Sequence, residues 1–245
     1  MVASLNEKTG LHTQFVDAVA INDAAFFEAP IIFMEPIPGS MLKIKNANPW
    51  LQGQRAQGAH DYTSKKMQRL REYVLNRGGF IYMATHGNTE KAMYPAYRVL
   101  RRILPEYQPT SIPNNHEIYN IYYPLNGPLR FPIRQVFSAT LHFGQYTELR
   151  GIFIDGRLAV LIDTEAMMHV IDGAVQKPFS GNWTDRNEIF AQFGPHAARQ
   201  MTNIIVYAIT HGRISDYSDY VPETALNDSG GEGPPEDVPP AIPKL

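Results

Sequence analysis

Apolar residues recur at intervals of three and four after Thr63, and this period predicts a helix that Thr63 caps. Gly78 and Gly79 end it, because glycine readily adopts the backbone conformation that closes helices. FIYMAT follows, and this continuous apolar run predicts a parallel strand with both faces covered. The predicted inward side chains of the helix are Met67, Leu70, Tyr73 and Val74, and the predicted solvent-facing ones are Lys65, Lys66, Arg69 and Arg71.

Two apolar runs nearer the N-terminus predict strands, and a short helix over Val2 to Lys8 precedes them. FVDAVAI, residues 15–21, has the β-branched and aromatic content of a strand. PIIFMEP, residues 30–36, is a short run bounded by prolines and predicts a buried strand. Residues 37–62 are rich in Gly, Pro, Asn and Gln without a period, which predicts a long surface loop.

Two helices and a hairpin are predicted in the second half of the chain. One helix runs towards Leu104; proline fits best in a first turn, so Pro95 predicts a separate turn over residues 89–94. LRGIFIDGRLAVLID predicts two strands joined at the Asp155-Gly156 dipeptide, which favours a tight turn. The last helix is predicted over residues 196–210, with these residues inward: Ala197, Met201, Ile204, Ile205 and Ala208.

Alternating strands and helices with glycine punctuation predict an α/β fold, in which a mostly parallel sheet has helices on both faces. We expect this domain to occupy residues 1–212, closed by Gly212. Residues 213–245 are proline-rich and acidic, with few large apolar side chains. Such a segment buries too little surface to fold alone, so we expect a disordered, flexible tail.

Composition excludes several classes of function. Charged residues make up 19% of the chain and the net charge is −2, so no strong field attracts nucleic acid or anionic lipid. The absence of cysteine excludes disulfides, thiolate metal sites and cysteine nucleophiles. The sequence has no apolar run of membrane-spanning length and no signal-peptide pattern at its start. As written it is expected to be cytoplasmic; if the true N-terminus lies upstream, the compartment is unknown.

Several blocks of the sequence resemble one protein family, and in order they cover Val2 to Gly212. They are FFEAPIIFM, LREYVLNRGGFIYMA, RILPEYQPTSIPNNHEIYNIYYPL, LRGIFIDGRLAVLID and NIIVYAIT. They are similar to the family catalogued as domain of unknown function 4159. The resemblance implies a three-layer fold like that of class I glutamine amidotransferases, related to the flavodoxin-like arrangement. The family has no established reaction.

The chain departs from this family at two places. Members usually begin with a further strand and a tryptophan-containing loop ahead of VASLNEKTG. We therefore expect an upstream start, a fragment, or another element in that strand's place. Where many members carry an acidic residue after the glycine-led strand, this sequence has Met83, Ala84 and Thr85. The resemblance therefore gives no support for an acid or a metal ligand at that corner.

Polar residues follow the predicted strands at their carboxyl ends, where ligands bind in open α/β sheets. His116, in the NNHEIYN loop, joins them if the family fold brings that loop over the sheet. The predicted ligand-binding residues are Glu35, Thr85, His86, Asn88, His116, Asp163, Thr164 and Glu165.

These residue types bear on three kinds of chemistry. Glutaminase activity is excluded, because class I amidotransferases need a cysteine nucleophile. A Thr85 nucleophile with His86 or His116 as base is conceivable, although such hydroxyls more often cap the following helix. A divalent metal is a further alternative; no tight ligand spacing supports it, so no metal or cofactor is predicted. The donors for such a metal would be His86, His116, Asp163, Glu165 and His169.

Two functions remain. The first is a binding module, non-catalytic or catalytically degenerate, that acts within a larger assembly and holds a small polar ligand or a protein partner. The rival is a hydrolase, with or without a metal, that uses His86, His116, Asp163 and Glu165. The 13 tyrosines favour a protein partner or a homo-oligomer, since tyrosine is enriched at interfaces. No nucleic-acid partner is predicted.

Overall fold

The fold is built on a five-stranded sheet. The computed structural model describes residues 2–11, 13–14, 20–21, 23–34, 36, 64–85, 90–128, 148–163, 167, 171 and 184–212. The strands are β1 (Ile31–Met34), β2 (Phe80–Ala84), β3 (Thr110–Ser111), β4 (Arg150–Ile154) and β5 (Arg157–Asp163), in the order β1-β2-β5-β4-β3. β1, β2 and β5 are parallel to one another, whereas β4 and β3 are added antiparallel. The α/β class is confirmed.

The antiparallel part of the sheet begins with a tight hairpin. Ile154 and Arg157 are paired across it, and the two residues between them, Asp155 and Gly156, have φ angles of 50° and 80°. Positive φ at both positions gives the turn a twist that matches the twist of the flanking strands. The hairpin predicted at this dipeptide is confirmed.

The α-helices whose bounds lie in the described residues are α1 (Val2–Thr9), α2 (Ser64–Leu75), α3 (Glu90–Ile103) and α4 (Thr184–His211). Short 3₁₀ helices lie at Ala24–Glu28 and Glu117–Tyr119. Side chains of β2 alternate between two buried clusters: Phe80 and Tyr82 join residues of α1 and α4, whereas Ile81 and Met83 join residues of α2 and α3. β2 is therefore covered on both of its faces, as its continuous apolar sequence predicts.

The predicted boundaries of two helices are wrong. The predicted separate turn over residues 89–94 is wrong for residues 90–94, because α3 is continuous from Glu90 through Pro95. The buried Met93 and Ala96 hold the chain helical on either side of that proline. α4 begins at Thr184 instead of His196 and contains Pro195. Its predicted inward residues between 197 and 208 are all buried, so the inward face of this helix is confirmed.

Arg69 was predicted to face solvent, and this prediction is wrong because its side chain is fully buried. Its guanidinium donates hydrogen bonds to the carbonyl oxygens of Ile21 (2.6 Å) and Asp23 (3.1 Å). The same group stacks over the Phe27 ring at 4.6 Å from the centroid. α2 is therefore covered on this side by the segment around the first 3₁₀ helix, and Arg69 satisfies that segment's carbonyls.

β1 was predicted as a buried strand, and its position in the sheet modifies that prediction. Ile31, Ile32 and Phe33 are half-buried, and Met34 is buried. In the described part of the sheet β1 pairs on one side only, with β2. Its side chains are therefore covered less completely than those of the central strands.

The helix end predicted at Gly78 and Gly79 is confirmed. Gly78 has a φ of 74°, which glycine adopts without strain. The Gly79 amide then donates to the Tyr73 carbonyl at 2.8 Å, and the chain enters β2. Other predictions fall outside the described residues: most of the strand at 15–21, the Thr63 cap, the loop at 37–62 and the tail at 213–245.

Candidate functional site

The carboxyl ends of β2 and β5 lie side by side and bring two predicted site residues together. Ala84 pairs with Asp163 across the parallel strands, and Thr85 follows Ala84 directly. The Thr85 hydroxyl donates a 2.5 Å hydrogen bond to the Asp163 carbonyl oxygen. Both residues are buried, and Asp163 has no exposed surface. Among the described residues, Thr85 and Asp163 are the two predicted site residues that lie together.

The Asp163 carboxylate accepts hydrogen bonds from two buried donors. The Tyr82 hydroxyl lies 2.5 Å from Oδ2, and the Met167 amide lies 2.7 Å from the same oxygen. Tyr82 and Asp163 come from adjacent strands, so the carboxylate ties β2 to β5 and to the chain that follows β5. Burial, followed by the negative charge of Asp163 and the hydrogen bond to it, raises the pKa of Tyr82 well above its ordinary value. Tyr82 therefore stays protonated and donates.

Tyr82 belongs to this cluster, although the sequence reasoning missed it. Side chains alternate between the two faces of β2, so Tyr82 and Ala84 lie on the same face. Ala84 pairs with Asp163, and this places Tyr82 near Asp163. A residue two positions away on the neighbouring strand is a diagonal neighbour, which a tyrosine side chain can reach. Using that signal requires knowing the register of the two strands.

These contacts limit what Thr85 and Asp163 can do chemically. A threonine hydroxyl has one proton, and that of Thr85 is directed at the main-chain carbonyl of Asp163. The carboxylate of Asp163 is fully buried among donors from its own chain. Among the described residues, the arrangement fixes the ends of two strands.

His116 does not lie with Thr85 and Asp163. Its ring packs against the rings of Phe153 and Tyr207, at 5.5 Å and 5.6 Å between centroids. The Tyr207 hydroxyl accepts from the amide of Leu158, at the other end of β5 from Asp163. Five residues of strand span about 16 Å. The expectation that the NNHEIYN loop brings His116 to the strand ends is therefore wrong.

His116 instead caps the 3₁₀ helix Glu117–Tyr119, where its Nδ1 accepts the Ile118 amide at 3.2 Å. Beside it, His211 Nε2 lies 3.2 Å from a Glu117 oxygen and stacks on Tyr207 at 4.3 Å. Burial, and secondarily the nearby His211, lower the pKa of His116, against an opposing effect of Glu117. A neutral imidazole is the form that can accept at Nδ1, so the lowered pKa suits the cap.

Acid is expected to destabilise the fold through His116. Its pKa in the folded chain lies below the ordinary 6.5, so the unfolded chain takes up the proton first as the pH falls. The stabilisation is complete above pH 6.5 and is lost as the pH falls through the folded-state pKa. Urea unfolding should show a smaller loss of stability on acidification in His116→Asn than in the parent, because asparagine caps without titrating. Equal losses in both proteins would contradict this role.

The remaining predicted site residues fall outside the described part of the chain. They are Glu35, His86, Asn88, Thr164, Glu165 and the further donor His169. Among the residues that the structure does describe, no group of three or more His, Asp or Glu side chains could hold a metal ion. The prediction that the chain needs no metal or cofactor stays a prediction.

No helix in the described ranges has the length and apolar character needed to cross a bilayer. The cytoplasmic location stays a prediction, since nothing in the fold bears on the compartment.

Comparison with known proteins gives a family whose function is unknown. No curated protein matches the chain. Residues 54–209, which make up more than half of the chain, match a family described as a domain of unknown function. The matched range contains α2, β2, β5 and Asp163, so it includes the strand ends described above. The chain therefore belongs to the DUF4159 family.

Proposed function

We propose that this protein is a binding module, non-catalytic or catalytically degenerate, that acts within a larger protein assembly. The proposal rests on the hydrogen bonds that the two strand-end residues, Thr85 and Asp163, make. The Asp163 carboxylate holds Tyr82 and the Met167 amide, and the Thr85 hydroxyl holds the Asp163 carbonyl. A reaction at this corner would use the Thr85 hydroxyl and the Asp163 carboxylate, and both groups instead stabilise the ends of the two strands.

The absence of cysteine supports the same proposal. We propose that sheet and helices form the three-layer, amidotransferase-like arrangement, because β2 sends alternate side chains into two clusters with different helices. In that fold class the reaction depends on a cysteine at a strand-to-helix corner. This chain has Thr85 after β2 and no cysteine anywhere. A fold alone does not imply an activity, so the corner residues carry the argument.

The partner is proposed to be a protein or a second copy of the chain. Tyr94 and Tyr122 are large apolar side chains with more than a third of their surface exposed. Arg98 lies over the Tyr94 ring and Arg199 over the Tyr123 ring. Tyrosine and arginine dominate binding energy at protein interfaces, because each combines a large contact area with a hydrogen-bonding group. A small polar ligand at the strand ends remains part of the proposal.

Three measurements on one purified sample test this function: mass by light scattering, metal by elemental analysis, and turnover of ester, phosphoester and peptide substrates with and without added Zn²⁺ or Mn²⁺. We expect a mass above the 27.6 kDa of one chain, from self-association or a co-purifying partner. We also expect no stoichiometric metal and no turnover. A metal-bearing monomer whose hydrolysis is abolished by His86→Ala, but retained in His211→Ala, would establish the rival hydrolase.

A further inference from the structure

Two adjacent tyrosines stand at the surface in the loop after the 3₁₀ helix Glu117–Tyr119. Tyr122 is 39% exposed, and its ring meets that of Tyr123 edge-on, with centroids 4.8 Å apart. The guanidinium of Arg199, an exposed residue of α4, lies 5.8 Å from the centre of the Tyr123 ring. We call Tyr122, Tyr123 and Arg199 the tyrosine platform. It consists of the exposed Tyr122 ring, the half-buried Tyr123 ring and one exposed cation.

Hydrogen bonds hold the backbone of the platform in place. The Tyr123 amide donates to Asn203 Oδ1 at 2.7 Å, and Asn203 Nδ2 donates to the Tyr123 carbonyl at 2.8 Å. Asn203 is fully buried on α4, so the loop is fixed to that helix. The Tyr122 hydroxyl also donates to the Lys8 carbonyl. A surface ordered before binding loses little conformational entropy when it binds, which favours affinity.

The chain carries a segment whose chemistry matches this surface. Residues 213–245 contain seven acidic and two basic side chains, and residues 234–243 read PPEDVPPAIP. Proline-rich segments bind surfaces lined with aromatic rings, because their extended conformation is largely preformed. Glu236 and Asp237 lie within this block and are opposite in charge to Arg199. Aromatic and charge complementarity therefore point to the same ten residues.

The attachment point of this segment also favours contact. It begins after His211, at the end of the helix that carries Arg199 and Asn203. Arg199 and His211 are twelve positions apart on the helix, a distance of about 18 Å. The 23 residues from Gly212 to Pro234 span up to about 75 Å when extended, so they can reach the platform. A tether of this kind gives an effective concentration on the order of millimolar, which suffices for a weak contact.

We propose that the proline-rich block at 234–243 docks on the tyrosine platform of its own chain, with Glu236 and Asp237 facing Arg199. Bound in this way, the block covers Tyr122 and Tyr123 and competes with any protein that uses these rings. The docking itself involves no residue of the strand-end cluster. Only its competition with a protein partner rests on the proposed function, because the platform shares Tyr122, Tyr123 and Arg199 with the proposed partner surface.

A nitroxide in the block tests the docking in the full chain. Because the chain has no cysteine, Ala241→Cys supplies a single labelling site. We expect the nitroxide to broaden the amide signals of residues 121–124 and of α4 around Arg199 and Asn203. In a second sample, chain that carries the isotope label but no nitroxide is mixed with an equal amount of chain that carries the nitroxide but no isotope label. The platform signals of this mixture should show no broadening. Platform signals that stay sharp in the chain carrying both labels would overturn the proposal. Broadening only in the mixture would assign the docked block to a second copy.

Charge reversal identifies the contact. Arg199→Glu should abolish the broadening, and combining it with Glu236→Lys and Asp237→Lys should restore it. Arg98→Glu is the matched control, because Arg98 lies over the Tyr94 ring on α3 at 5.9 Å and the charge change is the same. We expect the control to leave the broadening unchanged. Broadening that survives Arg199→Glu, or that Arg98→Glu also removes, would refute a specific contact at the platform.

Discussion

Replacing Asp163 with alanine is expected to lower the free energy of unfolding by about 3 kcal/mol. The substitution leaves two buried donors, the Tyr82 hydroxyl and the Met167 amide, without the acceptor they share. Each unsatisfied buried donor costs about 1–3 kcal/mol, and both donors here lie beside a side chain with no exposed surface. Urea unfolding, followed by both fluorescence and circular dichroism, measures the loss.

Tyr82→Phe is the matched control for Asp163→Ala. It removes one donor and keeps the ring, so the expected loss is about 1 kcal/mol. Because the two residues share a hydrogen bond, their effects in the double variant should fall short of additive. A loss in Asp163→Ala no larger than in Tyr82→Phe would contradict a structural carboxylate. It would instead leave Asp163 available for the chemistry that the rival hydrolase requires.

The periodic elements of this fold could be predicted from the sequence because their cause is local. The spacing of Met67, Leu70 and Val74 places them on one helix face whatever α2 packs against. The Asp155-Gly156 dipeptide specifies its turn through its own φ angles. Alternation alone likewise assigns the two faces of β2. None of these inferences needs a contact between distant parts of the chain.

Features that depend on distant contacts could not be predicted in this way. Arg69 lies at a position that would face solvent on an isolated helix, but Ile21 and Asp23, which lie 48 and 46 positions earlier in the chain, cover it. Pro95 is accommodated inside α3 because its neighbours are buried, which the sequence does not state. His116 follows a loop whose destination is set by packing on Phe153 and Tyr207. For each of these residues, tertiary packing overrode the local preference.

The same distinction applies at the candidate site, whose role as a site stays a prediction. The carboxyl ends of parallel strands share one edge of a sheet, and Thr85 and Asp163 lie together there. The hydrogen-bond partners of Thr85 and Asp163 depend on the register of β2 against β5. That register places Tyr82 beside the Asp163 carboxylate. Sequence alone therefore located the corner but not the use of its side chains.

Gly79→Ala is expected to destabilise the chain by about 2 kcal/mol or more, because it inserts a methyl group into a filled core. A Cβ at residue 79 would overlap the ring of Tyr73 at its Cζ, Cε1 and Cε2 atoms. That ring is fully buried and cannot move freely, since its hydroxyl donates to the Ala29 carbonyl at 2.8 Å. The φ angle of Gly79 is not positive, so backbone strain does not contribute. Gly79 is thus required by packing, whereas Gly78 is required by its φ of 74°.

The Tyr73 ring can be tested as the cause with a double-mutant cycle. Tyr73→Leu removes the three ring atoms that a Cβ would meet and keeps an apolar side chain at the position. In that background Gly79→Ala should be nearly neutral, so most of its effect on the midpoint of thermal or urea unfolding should disappear. The same destabilisation in both backgrounds would show that the ring is not responsible. The expected outcome explains the second glycine before this buried strand by the close approach of α2 to β2.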